Sequence, residues 1–237
     1  LPNLLRKVKE NIRHTDTFRL FEWESVFEKY KASEVRETKM LALVSVSRDG
    51  GPREFTRLKG ALENFLETLS VSQVTFVPHA LPTVPDEWHR TQSADILVKG
   101  KRIGTIGTLT PFVLQNFGIG SGVAAAVVDI EALRDSVVTE VIFEPLPKFP
   151  FAVRDLSLIF PARQASGAVR DVIERTGAPL LRSAELFDVF EREGRYHLAF
   201  HLVFGANERT LTSEEMDGAF GRIVAQVATE MGGRLHQ

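Results

Sequence analysis

Cysteine is absent from the 237 residues of this sequence. Disulfide bonds, thiolate metal sites and cysteine nucleophiles are therefore excluded for this chain. No apolar run approaches the roughly 20 residues that a membrane-spanning helix needs, so contact with a membrane is not predicted. The lack of cysteine is typical of a reducing compartment, and we predict a cytoplasmic location.

A marked excess of charge is missing as well, because the formal net charge is only −2. Residues 151–237 contain ten arginines, no lysine and twelve acidic residues, whereas residues 1–150 hold 19 basic and 19 acidic residues. A broad positive field that attracts phosphate is thus absent from both parts. Any binding of RNA must rest on individually placed arginines, whose planar guanidinium group can hold a phosphate bidentately.

Hydrophobic residues, in contrast, make up 43% of the chain, which suits one large domain or two ordinary ones. The first residue is Leu1 rather than methionine, and Leu4, Leu5 and Val8 already recur at helical spacing. We therefore predict a helix at residues 1–12 and interpret the chain as a fragment of a longer protein.

The first half of the chain mixes strand and helix patterns. Apolar, β-branched runs predict strands, apolar stripes with a period of 3.6 predict helices, and charged or proline-rich stretches predict loops. The predicted strands are 18–27, 40–47, 74–77, 94–98, 102–109 and 124–130, the helices are 56–69 (capped by Thr56) and 112–117, and the loops are 28–39 and 79–90. Lys99 and Gly100 form the predicted turn of a hairpin. This order favours an α+β fold with antiparallel strands over a βαβ repeat.

The stretch 148–160 divides the chain. Pro147 and Pro150 disfavour helix just before them and predict an extended connector. Beyond it, strands are predicted at 153–160, 181–190, 196–204 and 234–236, and helices at 166–175 and 213–230, the last capped by Thr212. This βαββαβ order is that of a ferredoxin-like unit. We therefore predict two domains, 1–146 and 147–237.

The histidines do not predict a metal site. His197 and His201 share one face of a strand, but their Cα atoms are about 13 Å apart at roughly 3.3 Å per residue. Zinc requires donors at about 2.0–2.1 Å, so we interpret both as solvent-facing sheet residues. His79 and His89 lie in the proline-rich loop, with no carboxylate at a suitable spacing.

The glycine-rich stretch 118–122 does not predict catalysis. A catalytic site for ATP needs arginines for the phosphates and carboxylates for magnesium. No Glu-Arg pair follows these glycines, and no lysine of a phosphate-binding loop accompanies them. We interpret the stretch as a turn between a helix and a strand, and no catalytic residue is predicted.

RNA binding is an activity that the predicted second domain allows, because a ferredoxin-like sheet can present an open face to unpaired bases. The strand 196–204 alternates between core positions (Tyr196, Leu198, Phe200, Leu202 and Phe204) and positions on the opposite face (His197, Ala199, His201 and Val203). Phe187 is the candidate for base stacking, unless it packs under a neighbouring domain. Arg154 and Arg209 lie at the ends of elements, where they reach a phosphate or pair with an acidic residue (Asp155, Asp188 or Glu208). The predicted RNA-binding residues are Arg154, Phe187, Asp188, His197, His201 and Arg209.

Several short motifs follow one another in a specific order along nearly the whole chain. They are Arg19-Leu20-Phe21-Glu22 with Val26-Phe27, Lys59-Gly60, Ser93-Ala94-Asp95-Ile96, Gly104-Thr105-Ile106-Gly107 before Thr110-Pro111, Lys148-Phe149-Pro150, Arg154-Asp155-Leu156, Phe187-Asp188-Val189-Phe190, and Arg209-Thr210-Leu211-Thr212 with Glu214-Glu215. Each motif is weak alone. As an ordered series they resemble the C-terminal part of the beta subunit of bacterial phenylalanine–tRNA ligase.

The resemblance implies that residues 1–146 form a class II synthetase-like domain that is truncated at its N-terminus and does no chemistry. It implies that residues 147–237 form a ferredoxin-fold anticodon-binding domain. In that family the alpha subunit holds the site for ATP, magnesium and phenylalanine, so no cofactor is expected in this chain. The implied partners are the alpha subunit, in an (αβ)₂ heterotetramer, and tRNA(Phe).

The sequence departs from the family pattern in two places. The turn 192–195 is shorter than the glycine- and lysine-containing loop common in the family, which bears on any RNA contact at that hairpin tip. The segment 88–92 lacks the usual proline-glycine. Two other interpretations stay open, namely a ferredoxin-like module that only binds proteins and a stand-alone enzyme with a degenerate synthetase core.

Overall fold

The computed structural model describes residues 1–31, 34–48, 50, 52–79, 84–120, 122–137 and 148–236, without the side chains of residues 30, 31 and 52. The chain divides into two compact units, Leu1–Ile142 and Phe143–Gln237. The predicted border between residues 146 and 147 lies outside the described residues, so it stays a prediction. No helix in the described ranges is long and apolar enough to cross a membrane.

The first unit contains one sheet flanked by helices. Its elements are α1 (Pro2–Asn11), β1 (Thr17–Lys31), β2 (Glu34–Ser47), α2 (Pro52–Thr68), β3 (Val74–Pro78), β4 (Trp88–Val98), β5 (Lys101–Leu109), α3 (Pro111–Asn116), β6 (Gly122–Asp129) and α4 (Ile130–Arg134). The sheet has six strands in the order β1-β2-β6-β5-β4-β3, and all its neighbours are antiparallel. The predicted α+β fold is confirmed.

Two apolar cores lie on opposite faces of this sheet. On one face α2 buries Leu58, Leu62 and Leu66 to 2% exposure or less. On the other face α1 buries Leu5 and Val8 against β2 and β6. Since burial of one leucine contributes about 1.5–3 kcal/mol, these stripes fix both helices on the sheet.

Two glycines of β5 are required by close packing. A Cβ atom at Gly104 would collide with the carbonyl oxygen of Val127 in β6. A Cβ atom at Gly107 would lie 2.7 Å from Ser93 Cβ and 2.8 Å from Trp88 Cε3, well inside van der Waals contact. The spacing of glycine in this strand therefore follows from the approach of its two neighbours.

Three boundaries predicted for the first unit are wrong. The charged stretch 28–39 is not a loop, because β1 and β2 continue through most of it as a two-stranded ribbon with Phe27 opposite Glu37. Both faces of this ribbon meet water, so charged side chains are compatible with strand pairing there, and Ser25 Oγ donates to Glu37 Oε1 at 2.7 Å. The helix α2 begins at Pro52 rather than after Thr56, since proline suits a first helical turn. The predicted loop 79–90, of which residues 80–83 are not described, ends earlier because β4 begins at Trp88.

The second unit has the predicted ferredoxin-like order. Its elements are β7 (Ala152–Phe160), α5 (Ser166–Gly177), β8 (Leu181–Arg192), β9 (Arg195–Phe204), α6 (Ser213–Met231) and β10 (Arg234–Leu235). The antiparallel sheet has the order β10-β7-β9-β8. Both helices pack on one face of it, over a core that includes Leu156, Phe160 and Phe200, each 0% exposed.

Candidate nucleic-acid interface

Within residues 148–236, no helix covers one face of the second unit's sheet. Along β9 the side chains of Leu198, Phe200 and Leu202 point to α5 and α6 and are at most 3% exposed. The alternate residues His197 and His201 point to the opposite side. We call this side the open face, and it also carries Asp155 of β7 and Phe187, Asp188 and Phe190 of β8.

Phe187 forms a stacked pair on the open face. Its ring lies parallel to that of His201, with 3.9 Å between the ring centroids and 11° between the planes. A shift of register between Leu186 and Asp188 adds one residue to β8, and this bulge lets Phe187 join the outward side. His201 Nδ1 in turn lies 2.6 Å from Asp155 Oδ1, and Phe187 stays 48% exposed. His201 thus covers one side of the Phe187 ring, and the remaining exposed part of Phe187 is available for contact.

Phe190 forms a second stack beside the first. Its ring lies 4.4 Å from that of His197 at 11°, and His236 meets His197 edge-on at 5.2 Å. The prediction that His197 faces solvent is wrong, because Phe190 covers it and leaves only 5% of it exposed. His201 is the more open of the two histidines, with 42% of its side chain accessible.

The structure gathers four of the six predicted RNA-binding residues on this face: Phe187, Asp188, His197 and His201. Arg154 points to the helix-covered side instead, where its guanidinium donates to Asp217 Oδ1 at 2.8 Å. Arg209 pairs with Glu215 at 2.5 and 2.7 Å. The predicted acidic partners of these arginines were therefore wrong, whereas the roles of all six residues in RNA binding stay predictions.

Arg209 stabilises the beginning of α6. The predicted capping box is confirmed: Thr212 Oγ1 accepts from the backbone N–H of Glu215, and the Glu215 carboxylate accepts from the backbone N–H of Thr212. Two further hydrogen bonds from Arg209 reach the same carboxylate. The hydrogen bonds from Arg209 make the largest contribution and that from Thr212 the next largest, and they lower the pKa of Glu215 from 4.5 to about 2.

This cap predicts a pH effect on stability. The pKa of Glu215 is lower in the folded state than in the unfolded state. Its ionised carboxylate therefore contributes fully to the free energy of unfolding above pH 4.5, and this contribution is lost as the pH falls toward 2. We expect the substitution Glu215→Gln to flatten the dependence of unfolding free energy on pH within that window, measured by denaturant unfolding at several pH values. The neighbouring Glu214→Gln removes one carboxylate from the same helix start without touching the contacts of Arg209 and Thr212, and serves as the matched control. An NMR titration of Glu215 with a midpoint near its ordinary pKa would contradict the assignment.

A polar cluster in the first unit was missed from the sequence. His79 Nδ1 lies 3.1 Å from Ser93 Oγ, and His79 Nε2 lies 3.0 Å from Asp95 Oδ1. Arg102 Nε donates to the same carboxylate at 2.5 Å. No carboxylate is near His79 along the chain, but antiparallel pairing of β3 with β4 brings Asp95 beside it. Only a correct strand register reveals the contact.

Side-chain hydrogen bonds of this cluster connect the end of β3 with β4 and β5. Burial raises the pKa of Asp95, but hydrogen bonds from Arg102 and His79 outweigh it, so the net pKa is below its usual value. Ser93 is 5% exposed, and its hydroxyl donates to the carbonyl oxygen of His89 at 2.9 Å. The serine is thus shielded from solvent. Among the residues that the structure describes, no group of three or more His, Asp or Glu could hold a metal ion.

The glycine-rich stretch 118–122, in which Ser121 is not described, connects α3 to β6 as predicted. Gly118 has a φ of +65°, which glycine adopts without strain. At the hairpin tip of the second unit, Glu193 and Gly194 have φ values of 54° and 71°. These values match a two-residue turn with positive φ at both positions, so the loop is as short as predicted.

Two family models together match most of the chain. The model described as the phenylalanyl tRNA synthetase beta chain CLM domain matches residues 1–130. The model of the ferredoxin-fold anticodon binding domain matches residues 147–236, which contain the open face.

Curated relatives carry the same description. Phenylalanine–tRNA ligase beta subunits are 28% identical over 94% of this chain in Symbiobacterium thermophilum, 35% over 79% in Moorella thermoacetica and 30% over 94% in Bacillus subtilis. The matches cover 26%, 23% and 29% of those proteins, so this chain spans about a quarter of their length.

Among solved structures, a pyrrolysyl tRNA synthetase of Desulfitobacterium hafniense is similar over 56% of this chain and 46% of its own, with a TM-score of 0.45 and 20% identity. The family model of residues 1–130 alone matches more than half of the 237 residues. The chain therefore belongs to the family of phenylalanyl-tRNA synthetase beta chains.

Proposed function

We propose that this chain serves a phenylalanine–tRNA ligase in two ways. The second unit binds tRNA(Phe) near the anticodon, and the first unit assembles with the catalytic alpha subunit. The observation that carries the first role is the pair of stacks on the open face, in the part of the chain that matches an anticodon-binding domain.

The chemistry of the open face suits unpaired bases. Phe187 and Phe190 are 48% and 41% exposed, and each ring stacks in parallel on a histidine ring. Stacking of one base on an aromatic ring contributes about 1–3 kcal/mol. Since the net charge of the chain is −2, stacking rather than a long-range field would supply most of the affinity.

Alanine substitution of either phenylalanine tests this role. We expect Phe187→Ala and Phe190→Ala to weaken binding of the full chain to a tRNA(Phe) transcript about tenfold each, measured by fluorescence anisotropy. Val189→Ala is the matched control, because Val189 lies between them, is 54% exposed and points to the other side of β8. Equal affinity for a tRNA with an exchanged anticodon, together with no effect of either phenylalanine, would refute anticodon recognition.

The two arginines need a separate test. Arg154 is paired with Asp217, and Arg209 is paired with Glu215. Each arginine would therefore contact RNA only if a phosphate displaced its carboxylate partner. Arg154→Ala and Arg209→Ala in the same binding assay decide between a phosphate contact and a purely structural role. A role in capping alone would leave the affinity unchanged and lower only the stability.

The second role rests on an apolar stripe of the first unit. Phe21, Trp23 and Phe27 of β1 are 74%, 58% and 64% exposed and point to one side of the edge strand. A long apolar edge strand favours association with another chain. The relatives are named beta subunits, which supports an alpha subunit as that partner.

In the complete enzyme we propose an (αβ)₂ heterotetramer in the cytoplasm, with ATP and magnesium bound by the alpha subunit. This chain alone would then lack catalytic activity. An ATP–pyrophosphate exchange assay with phenylalanine would expose any activity of its own.

A protein-binding role without RNA is the alternative, and the near-neutral charge favours it. Phosphate contacts make affinity fall linearly with salt on a log–log scale. A complete lack of salt-dependent RNA binding by the chain would therefore favour the alternative.

A further inference from the structure

A basic groove lies on the first unit, between α1 and the end of α3. It has a volume of about 560 Å³, is open to solvent and is lined by Arg6, Lys9, Glu10, Arg13, Asn116 and Phe117. None of these residues belongs to the apolar stripe of β1 or to the open face. Both roles proposed above leave the groove without a function.

The helical period of α1 creates the basic side of this groove. Leu4, Leu5 and Val8 face the core, which turns the positions of Arg6, Lys9 and Arg13 toward solvent. Arg6 and Lys9 are three residues apart on one side of α1, and Arg13, in the turn after the helix, lines the same groove. We call these three cations the basic row. Three cations that line one groove can meet more than one phosphate of an extended strand.

The charges in this row are only weakly neutralised. Among the described residues that line the groove, Glu10 is the one carboxylate, and Lys7 on the neighbouring face binds it at 2.9 Å. Arg6 donates to the neutral side-chain oxygen of Asn3 at 2.8 Å. Within the described ranges Lys9 and Arg13 have no ion pair, which contrasts with the paired Arg154 and Arg209 of the second unit.

The opposite wall of the groove adds a polar group and an aromatic ring. Asn116 and Phe117 end α3, and the Lys9 side chain reaches over Gly118 immediately after them. Phe112 precedes Asn116 by four residues, so both lie on the same side of α3. Phe112 is 68% exposed, so its ring is accessible to a ligand.

We propose that this groove binds the sugar–phosphate backbone of a single-stranded RNA segment. Arg6, Lys9 and Arg13 contact successive phosphates, and Phe112 offers its ring to an unpaired base. A row of cations beside an exposed aromatic ring is the arrangement that proteins use for single strands. A groove that is open to solvent suits an extended chain better than a small enclosed ligand. The site does not depend on anticodon recognition by the second unit.

The test uses the full chain and a 12-nucleotide oligouridylate, which has phosphates and bases but no anticodon. We expect the triple variant Arg6→Ala, Lys9→Ala, Arg13→Ala to bind it at least tenfold more weakly at low salt. The slope of log K against log salt should fall by about 2, since each phosphate contact on a single strand contributes roughly 0.7. The control variant Lys101→Ala, Arg134→Ala, Arg170→Ala removes three exposed cations elsewhere and should change neither quantity.

A second measurement identifies the site directly. Photo-crosslinking with a 4-thiouridine in the oligonucleotide should attach it to peptides that contain α1 or α3, and Phe112→Ala should reduce the yield. Unchanged affinity and slope in the triple variant, or crosslinks confined to the second unit, would overturn the proposal. Because the open face is intact in the triple variant, loss of oligouridylate binding alone would leave the anticodon proposal standing. Conversely, tRNA(Phe) binding without anticodon preference would refute only that other role.

Discussion

Replacing Phe200 by alanine is expected to lower the free energy of unfolding of the second unit by about 3–5 kcal/mol. Phe200 is 0% exposed and lies in β9, the strand between β7 and β8. Its ring contacts the core under α5 and α6, so truncation leaves a cavity that the sheet cannot close. The free energy of unfolding of a domain is typically only 5–15 kcal/mol, so the expected decrease is close to the whole stability of a domain at the lower end of that range.

The measurement has to distinguish the two units. Both tryptophans, Trp23 and Trp88, belong to the first unit, so tryptophan fluorescence reports its unfolding alone. Hydrogen exchange followed by mass spectrometry resolves peptides of the second unit, where we expect faster exchange throughout β7 and β9. Val189→Ala, at a 54% exposed position of β8, should cost less than about 0.5 kcal/mol. If Phe200→Ala cost no more than Val189→Ala, the assigned core would be wrong.

The fold of the second unit was predictable because its signals are local. Thr212 and Glu215 have the spacing of a capping box, Gly232 ends α6 with a φ of 68°, and alternation in 196–204 gives the core side of β9. Each signal involves residues close in sequence, and all agree with one topology. The ribbon at 28–39 was mispredicted because its charges usually indicate a loop, and only pairing with the partner strand shows otherwise.

The site was predictable only in part, because its details depend on register. Alternation places His197 and His201 on one side of β9, but it cannot show that Phe190 buries the first and Phe187 stacks on the second. The bulge at Phe187 depends on a one-residue mismatch between strands. Arg154 and Asp217 are 63 residues apart in sequence, so no local pattern predicts their pairing.

The largest effect on assembly is expected from the apolar stripe of β1. We expect the double variant Trp23→Ala, Phe27→Ala to lose co-purification with the alpha subunit. Exposed aromatic residues at the centre of an interface commonly contribute 2 kcal/mol or more each, so the pair would raise the Kd about a thousandfold. Both side chains are more than half exposed in this chain, which means that their truncation should leave its own stability nearly unchanged.

The adjacent residue provides the control for this experiment. Val26 is 42% exposed and points to the other side of β1, so Val26→Ala should retain the alpha subunit if the stripe is the contact. Cross-strand neighbours of the stripe, Leu41 and Leu43, belong to the core under α2, so a partner seated there would extend an existing apolar layer. Equal loss of the alpha subunit with Val26→Ala would instead place the contact on both faces of the ribbon. Retention in the double variant would exclude the stripe and leave assembly to another surface of the first unit.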